Sequence, residues 1–123
     1  MKRVVVIDDS EVVIELVRSA LEEEGYLVTA LLEPDRAQIE AGPPPDLLLV
    51  DINMPQVFGD DVAQFVRDAW GIEAPIYLFS DIAEDELRER AAAAEVAGYM
   101  WKGWGIERVI DELCDLLGPA EAP

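Results

Sequence analysis

Three runs of apolar residues punctuate the chain: Val4-Val5-Val6-Ile7, Leu47-Leu48-Leu49-Val50 and Ile76-Tyr77-Leu78-Phe79. Each is continuous rather than alternating, which is the pattern of a strand covered on both faces. Between them the period changes from unbroken to helical. Over 11–24, Val13, Leu16, Val17, Ala20 and Leu21 recur at helical spacing and predict an amphipathic helix. Ser10 is placed to cap its start and Gly25 to stop it.

The same rhythm predicts the rest. A weaker strand is expected over 26–32, then a short helix with Pro34 in its first turn, ending by Gly42. Pro43-Pro44-Pro45 forces an extended approach to a strand over 47–52. A helix led in by Gly59-Asp60 carries Val62, Phe65 and Val66 on one side and ends at Gly71. A strand over 75–80 and a helix over 83–95 follow, with Asp81 and Glu84 spaced as a capping box. Strand 98–102 and helix 105–117 complete the series, and Gly118-Pro119 stops it. Five strand–helix units in so short a chain predict an α/β fold, a doubly wound five-stranded parallel sheet with helices on both faces. No internal linker or repeat interrupts it.

Composition narrows the chemistry. The chain has 123 residues, 51% of them hydrophobic, enough for one domain with a real core. With 27 acidic and 9 basic residues the net charge is −18, which repels phosphate backbones and anionic surfaces. Neither nucleic acid nor membrane is an expected partner. No apolar run approaches the roughly 20 residues of a membrane span. The single Cys114 makes no internal disulfide and reads as an inert, partly buried thiol. A cytoplasmic protein is expected. Without histidine there is no imidazole-based nucleophilic triad and no imidazole metal site.

What remains is carboxylate, hydroxyl and amine chemistry. Asp8 and Asp9 follow the first strand, Asp51 and Ser80 end the third and fourth, and Lys102 closes the segment Gly98-Tyr99-Met100-Trp101. In an open parallel sheet the carboxyl ends of neighbouring strands share one crevice, where ligands bind. Three carboxylates with a hydroxyl and an ammonium suit a hard cation and a phosphoryl group. Two carboxylates about 4 Å apart repel by roughly 4 kcal/mol at an effective dielectric of 20, so the cluster calls for a cation.

In these residues the chain resembles the receiver (CheY-like) domain of bacterial two-component response regulators, over essentially its full length. Asp8-Asp9, Asp51, Ser80 and Lys102 stand in family order and spacing. Asp51-Ile52-Asn53-Met54-Pro55, with Gly59 eight residues after Asp51, matches the phosphorylation-loop pattern. Tyr99, three before Lys102, falls where the family keeps an aromatic switch. The resemblance implies a flavodoxin-like (βα)5 fold of strand order 2-1-3-4-5, with 1–118 as the receiver and 119–123 as a tail. It implies a single-domain response regulator in which Asp51 accepts a phosphoryl group from a histidine kinase or phosphotransfer protein. Asp8, Asp9, Asp51 and Asn53 would hold Mg²⁺, or alternatively Mn²⁺. Asp9 and Asp51 would ligate directly, Asp8 through water, and Asn53 through its backbone carbonyl. Lys102 and Ser80 would contact the phosphoryl group while Tyr99 turns inward. No enzyme activity beyond self-phosphorylation and self-dephosphorylation is implied.

Three positions depart from the pattern. Lys102 is followed by Gly103, where the family usually has proline. Asp81 follows Ser80, where alanine or glycine usually leaves the donor room; Asp81 either restricts access or caps the next helix. Ile82 occupies a position often polar in related domains. Asp81 and Gly103 favour the alternative of a pseudo-receiver that binds partners without being phosphorylated. A Mg²⁺-dependent phosphohydrolase is a further alternative, but such enzymes use Asp-x-Asp, which Asp51-Ile52-Asn53 lacks.

Partner surfaces are expected at two places. Ile14, at the edge of the first helix's stripe, is either a kinase-docking contact or a buried edge residue. A downstream protein is expected on the face of helix 83–95, strand 98–102 and helix 105–117, where Glu84, Asp85, Glu86, Glu89 and Glu95 suit a basic surface. The assembly is expected to be a monomer or a phosphorylation-dependent dimer. A piece of a larger regulator is the rival to a stand-alone chain. Trp101 and Trp104 read as packing residues, and Tyr99 reads as either switch or core aromatic.

Overall fold

The computed structural model describes residues 1–53 and 59–120. Strands β1 (Arg3–Ile7), β2 (Leu27–Leu31), β3 (Leu47–Asp51), β4 (Ile76–Ser80) and β5 (Gly98–Trp101) alternate with helices. These are α1 (Glu11–Glu23), α2 (Arg36–Glu40), α3 (Gly59–Asp68), α4 (Glu84–Ala93) and α5 (Ile106–Leu117). The strands form one sheet in the order β2-β1-β3-β4-β5, every pairing parallel, as the resemblance implied.

The unbroken apolar runs are explained by where their alternate residues go. Val5, Ile7, Leu48, Val50, Ile76 and Leu78 pack on one face with Ile39 of α2, Val62, Ala63 and Val66 of α3, and Leu87 and Ala91 of α4. Val4, Val6, Leu47, Leu49 and Phe79 pack on the other with Ile14, Val17 and Leu21 of α1 and with Val109, Ile110, Leu113 and Leu117 of α5. A period of two on a two-sided sheet leaves no solvent-facing position to be polar.

Most predicted elements stand within one or two residues of their expected limits. Ser10 caps α1, its Oγ accepting from the Val13 N–H at 3.3 Å, and Gly25 follows the helix at φ +94°, a conformation that suits glycine. Several expectations need correction. Leu16 is exposed, and Ile14 is buried in its place beside Val17 and Leu21, so the docking-contact alternative for Ile14 falls. Phe65 is exposed with its ring edge-on to Trp70, while Ala63 takes the core position. Pro34 precedes α2 rather than lying in its first turn, because Asp35 caps that helix by accepting from the Gln38 N–H at 3.2 Å. Helix α4 begins later than expected, after Ala83, and no side chain caps it, so Asp81 is not its N-cap. Lys102 opens a 3₁₀ turn, Lys102–Trp104, instead of ending β5.

One structural residue escaped the sequence. Arg3, in β1, is buried. Its guanidinium donates to the carbonyls of Gln38 (2.8 Å), Ile39 (2.7 Å) and Pro43 (2.8 Å) and to Thr29 Oγ1 (3.0 Å). A single cation thereby satisfies the orphan carbonyls at the end of α2 and ties the triple-proline segment to the sheet. Among the described residues no helix is long and apolar enough to cross a membrane.

Candidate functional site

The carboxyl ends of β1, β3, β4 and β5 bring the expected residues together. Asp8 directly follows β1, and its backbone N–H continues the ladder by donating to Leu31 O at 3.0 Å. Its carboxylate is fully buried. One oxygen, Oδ1, accepts from the Ser10 N–H at 2.9 Å, so the turn into α1 aims the carboxylate at the crevice. The other, Oδ2, has no hydrogen-bond partner among the described residues and lies 2.9 Å from Lys102 Nζ. Asp9, the next residue, is exposed at the rim.

Asp51 is the last residue of β3, between β1 and β4, and only 2% exposed. Its Oδ1 accepts from the Asn53 N–H at 3.0 Å, and Oδ2 lies 3.9 Å from Lys102 Nζ. Burial pushes its carboxyl up to about 7, with the negative charge of Asp8 and a hydrogen bond with Asp9 adding to the effect. The Asn53 N–H and the Lys102 charge oppose that rise. Asp8, Asp9 and Asp51 each offer one carboxylate oxygen, and the three oxygens lie within 4.8 Å of one another. At such spacing each pair of charges repels by about 3–4 kcal/mol at an effective dielectric of 20. One nearby ammonium cannot neutralise three carboxylates. The hard oxygen donors, with the buried Asp8 Oδ2 met only by the Lys102 ammonium among the described residues, fit a small divalent cation.

Ser80 ends β4 and is fully buried. Its Oγ accepts from the Ile82 N–H at 3.2 Å and from Asn53 Nδ2 at 3.1 Å, leaving the hydroxyl proton as the group to donate. Lys102 reaches in from the 3₁₀ turn, its ammonium over the Phe79 ring at 4.9 Å from the ring centre. Tyr99 stands apart from the carboxylates. It is half-buried against α4, donating from Oη to Glu84 Oε2 at 2.8 Å and accepting from Arg88 Nη2 at 3.1 Å. Its ring lies 5.8 Å from that of Trp104. Asp81 is exposed beside Ser80. Met54 and Pro55, part of the loop pattern, lie outside the described residues.

The sequence places Trp101 among the packing residues, and the structure adds a polar contact to that role. Its indole N–H donates to Ile82 O at 2.7 Å, and its ring covers Gly103, where a Cβ would fall 2.4 Å from the indole Cζ2. Glycine follows Lys102 because nothing larger fits under that ring.

Comparison with known proteins agrees with the geometry. Residues 4–113 match the family model of the response regulator receiver domain. The chain is 29% identical over 117 residues to the chemotaxis protein CheY of Halobacterium salinarum, covering 94% of this chain and 97% of that protein. It is 30% identical over 118 residues to the response regulator MprA of Mycobacterium ulcerans, covering 94% of this chain but only 50% of that regulator. Among solved structures, the chemotaxis protein CheY4 of Vibrio cholerae superposes with a TM-score of 0.82 at 23% identity, covering 95% of this chain and 99% of that one. With a family match over nearly its whole length and the family's strand order, this chain belongs to the response regulator receiver domains.

Proposed function

We propose that Asp51 is a phosphoryl acceptor and that its modification switches the protein's contacts with other proteins. A carboxylate oxygen of Asp51 attacks the phosphorus of a phosphohistidine on a kinase or phosphotransfer protein. The O–P bond forms as the N–P bond breaks, and the leaving imidazole takes up a proton from solvent. The observation that carries this reading is the convergence of Asp8, Asp9 and Asp51 within 4.8 Å, with Lys102 Nζ beside Asp8 and Asp51.

Asp8, Asp9, Asp51 and the backbone carbonyl of Asn53 would hold Mg²⁺, or Mn²⁺ in its place. The ion would supply positive charge against the developing oxyanions. The chain's own groups do the rest. Lys102 offers its ammonium to a phosphoryl oxygen, a charge fixed before the reaction rather than recruited during it. Ser80 has a hydroxyl proton to donate once its oxygen leaves Asn53 and Ile82. The buried walls of β1 and β3 exclude water from the Asp51 side of the crevice. Tyr99, held by Glu84 and Arg88, is the aromatic that would move when Ser80 does. The family role is phosphoryl acceptance rather than catalysis on a substrate.

The residues from 1 to 118 act as the receiver in this reading, with the downstream protein meeting α4, β5 and α5. The chain matches CheY over nearly that protein's whole length but spans only half of MprA. The exposed Asp81 favours one alternative, a pseudo-receiver whose crevice excludes donors.

Intact mass after incubation with Mg²⁺ and acetyl phosphate, and separately with a histidine kinase, tests the proposal. A phosphoryl adduct is expected on wild type and not on Asp51→Asn. A folded wild type that gains no adduct from either donor would leave the pseudo-receiver standing.

A further inference from the structure

We infer that Trp101 is a positioning residue whose indole braces the Ser80–Ile82 segment against the Lys102 turn and holds the Ser80 hydroxyl back from the phosphoryl site. The inference rests on the phosphoryl-acceptor reading of Asp51.

Trp101 is the register partner of Ser80 across β4 and β5. From there its indole makes two contacts that no sequence pattern announces. The N–H donates to Ile82 O at 2.7 Å, and the ring lies so closely on Gly103 that a Cβ there would meet three of its atoms at 2.4–2.7 Å. Lys102 sits between these contacts, directly after the tryptophan and before the glycine, at the start of a 3₁₀ turn closed by the Gly105 N–H to Lys102 O bond at 3.1 Å. The rigid indole thus fixes the backbone from which Lys102 reaches Asp8 and Asp51.

The same indole reaches Ser80 through one residue. Ile82 gives its carbonyl to Trp101 and its N–H to Ser80 Oγ. Turning Ser80 Oγ toward a phosphoryl oxygen requires it to leave the Ile82 N–H and Asn53 Nδ2. The Trp101 bond keeps Ile82 where that first bond is made, so it favours the unmodified arrangement. A ligand shifts such an equilibrium only by binding the two arrangements unequally, and removing the brace lowers what the ligand must overcome.

Beryllofluoride with Mg²⁺, a tetrahedral analogue of a phosphoryl group on a carboxylate, is the probe. Trp101→Phe removes the indole N–H together with the outer ring atoms that lie nearest Gly103. Calorimetric titration is expected to show beryllofluoride bound about fivefold more tightly by this variant than by wild type, equivalent to about 1 kcal/mol. A purely structural role would not produce this, since losing packing weakens binding. In ¹⁵N-labelled wild type, the Trp101 indole N–H cross-peak is expected to move upfield on beryllofluoride addition, while that of Trp70 stays in place. The spectrum needs no variant, so misfolding of Trp101→Phe leaves that half of the test intact. Equal or weaker binding by a folded variant, or a stationary Trp101 cross-peak in beryllofluoride-bound wild type, would overturn the brace. If wild type with Mg²⁺ binds no beryllofluoride, the phosphoryl-acceptor reading itself fails, and the brace falls with it.

Discussion

The Lys102 ammonium lies 2.9 Å from Asp8 Oδ2 and 3.9 Å from Asp51 Oδ2, so the lysine leans toward the carboxylate that is not the proposed acceptor. Asp8 therefore has two opposed effects. It partners Lys102, and its charge raises the cost of ionising Asp51.

Replacing Asp8 with asparagine should separate these effects. The asparagine Oδ1 can still accept from the Ser10 N–H, so the turn into α1 survives. One of three clustered charges is gone. Metal-free Asp8→Asn is expected to melt at or above the wild-type temperature at pH 8. Its Mg²⁺ affinity is expected to fall about tenfold or more, because a carboxylate a few Å from a divalent ion contributes several kcal/mol of attraction even at a dielectric of 20. Thermal melts across a Mg²⁺ titration measure both. An unchanged Mg²⁺ dependence would remove Asp8 from the cation site.

The pH dependence of stability carries a definite sign. In the folded protein Asp51 titrates at about 7, above its unfolded value near 3.8. A carboxyl raised in this way adds stability that is fully present below the unfolded value and disappears as pH rises through the folded one. Metal-free wild type should lose about 1–2 kcal/mol between pH 6 and pH 8 relative to Asp51→Asn. Saturating Mg²⁺ should remove that loss by favouring the charged form. Urea unfolding of both proteins at the two pH values, with and without Mg²⁺, is the measurement, and a parallel pH response in the mutant would contradict it.

How far the sequence could be read follows from what each feature depends on. The strands were legible because their continuous apolar runs face two cores, one built on Val5, Leu48 and Leu78 and the other on Val4, Leu49 and Phe79. Asp8, Asp51, Ser80 and Lys102 were legible because strand ends in a parallel sheet converge whatever the loops do. The errors were local. Helical spacing placed Leu16 and Phe65 on apolar stripes, but the angle at which each helix meets the sheet decides burial, and Ile14 and Ala63 are buried instead. Asp81 and Glu84 had capping-box spacing, yet the chain enters α4 two residues too late for Asp81 to serve. The polar contacts of Arg3 and Trp101 were illegible because their partners, Gln38, Ile39 and Pro43 for one and Ile82 for the other, are set by tertiary contact and not by spacing.

Arg3 yields a stability prediction independent of function. Its guanidinium serves three carbonyls and one hydroxyl, and Arg3→Met would leave those acceptors with no donor in a buried setting. Hydrogen bonds to charged groups contribute about 1.5–3 kcal/mol each, with part recovered by relaxation and water. A net loss of about 3 kcal/mol is expected. Arg3→Lys should recover only a fraction, since an ammonium cannot span the end of α2 and Thr29 together. Denaturant midpoints of the two variants would settle the matter, and a loss below about 1 kcal/mol for methionine would mean water replaces the guanidinium without penalty.

Asp81 is the residue on which structure most changes expectation. Two roles stood open from the sequence, helix cap and restriction of access, and the absence of any side-chain cap at Ala83 removes the first. An exposed aspartate beside Ser80, at a mouth already holding Asp9, adds like charge in the path of an anionic donor. Asp81→Ala should therefore leave stability within about 0.5 kcal/mol of wild type, as for a surface substitution without a structural role. Its rate of labelling by acetyl phosphate should rise several-fold at low salt. That gain should shrink as ionic strength rises toward 0.5 M, because the charge acts through solvent and is screened within a few ångströms there. A salt-independent gain would assign the effect to bulk rather than charge. No gain at any salt would show that the aspartate does not restrict donor access.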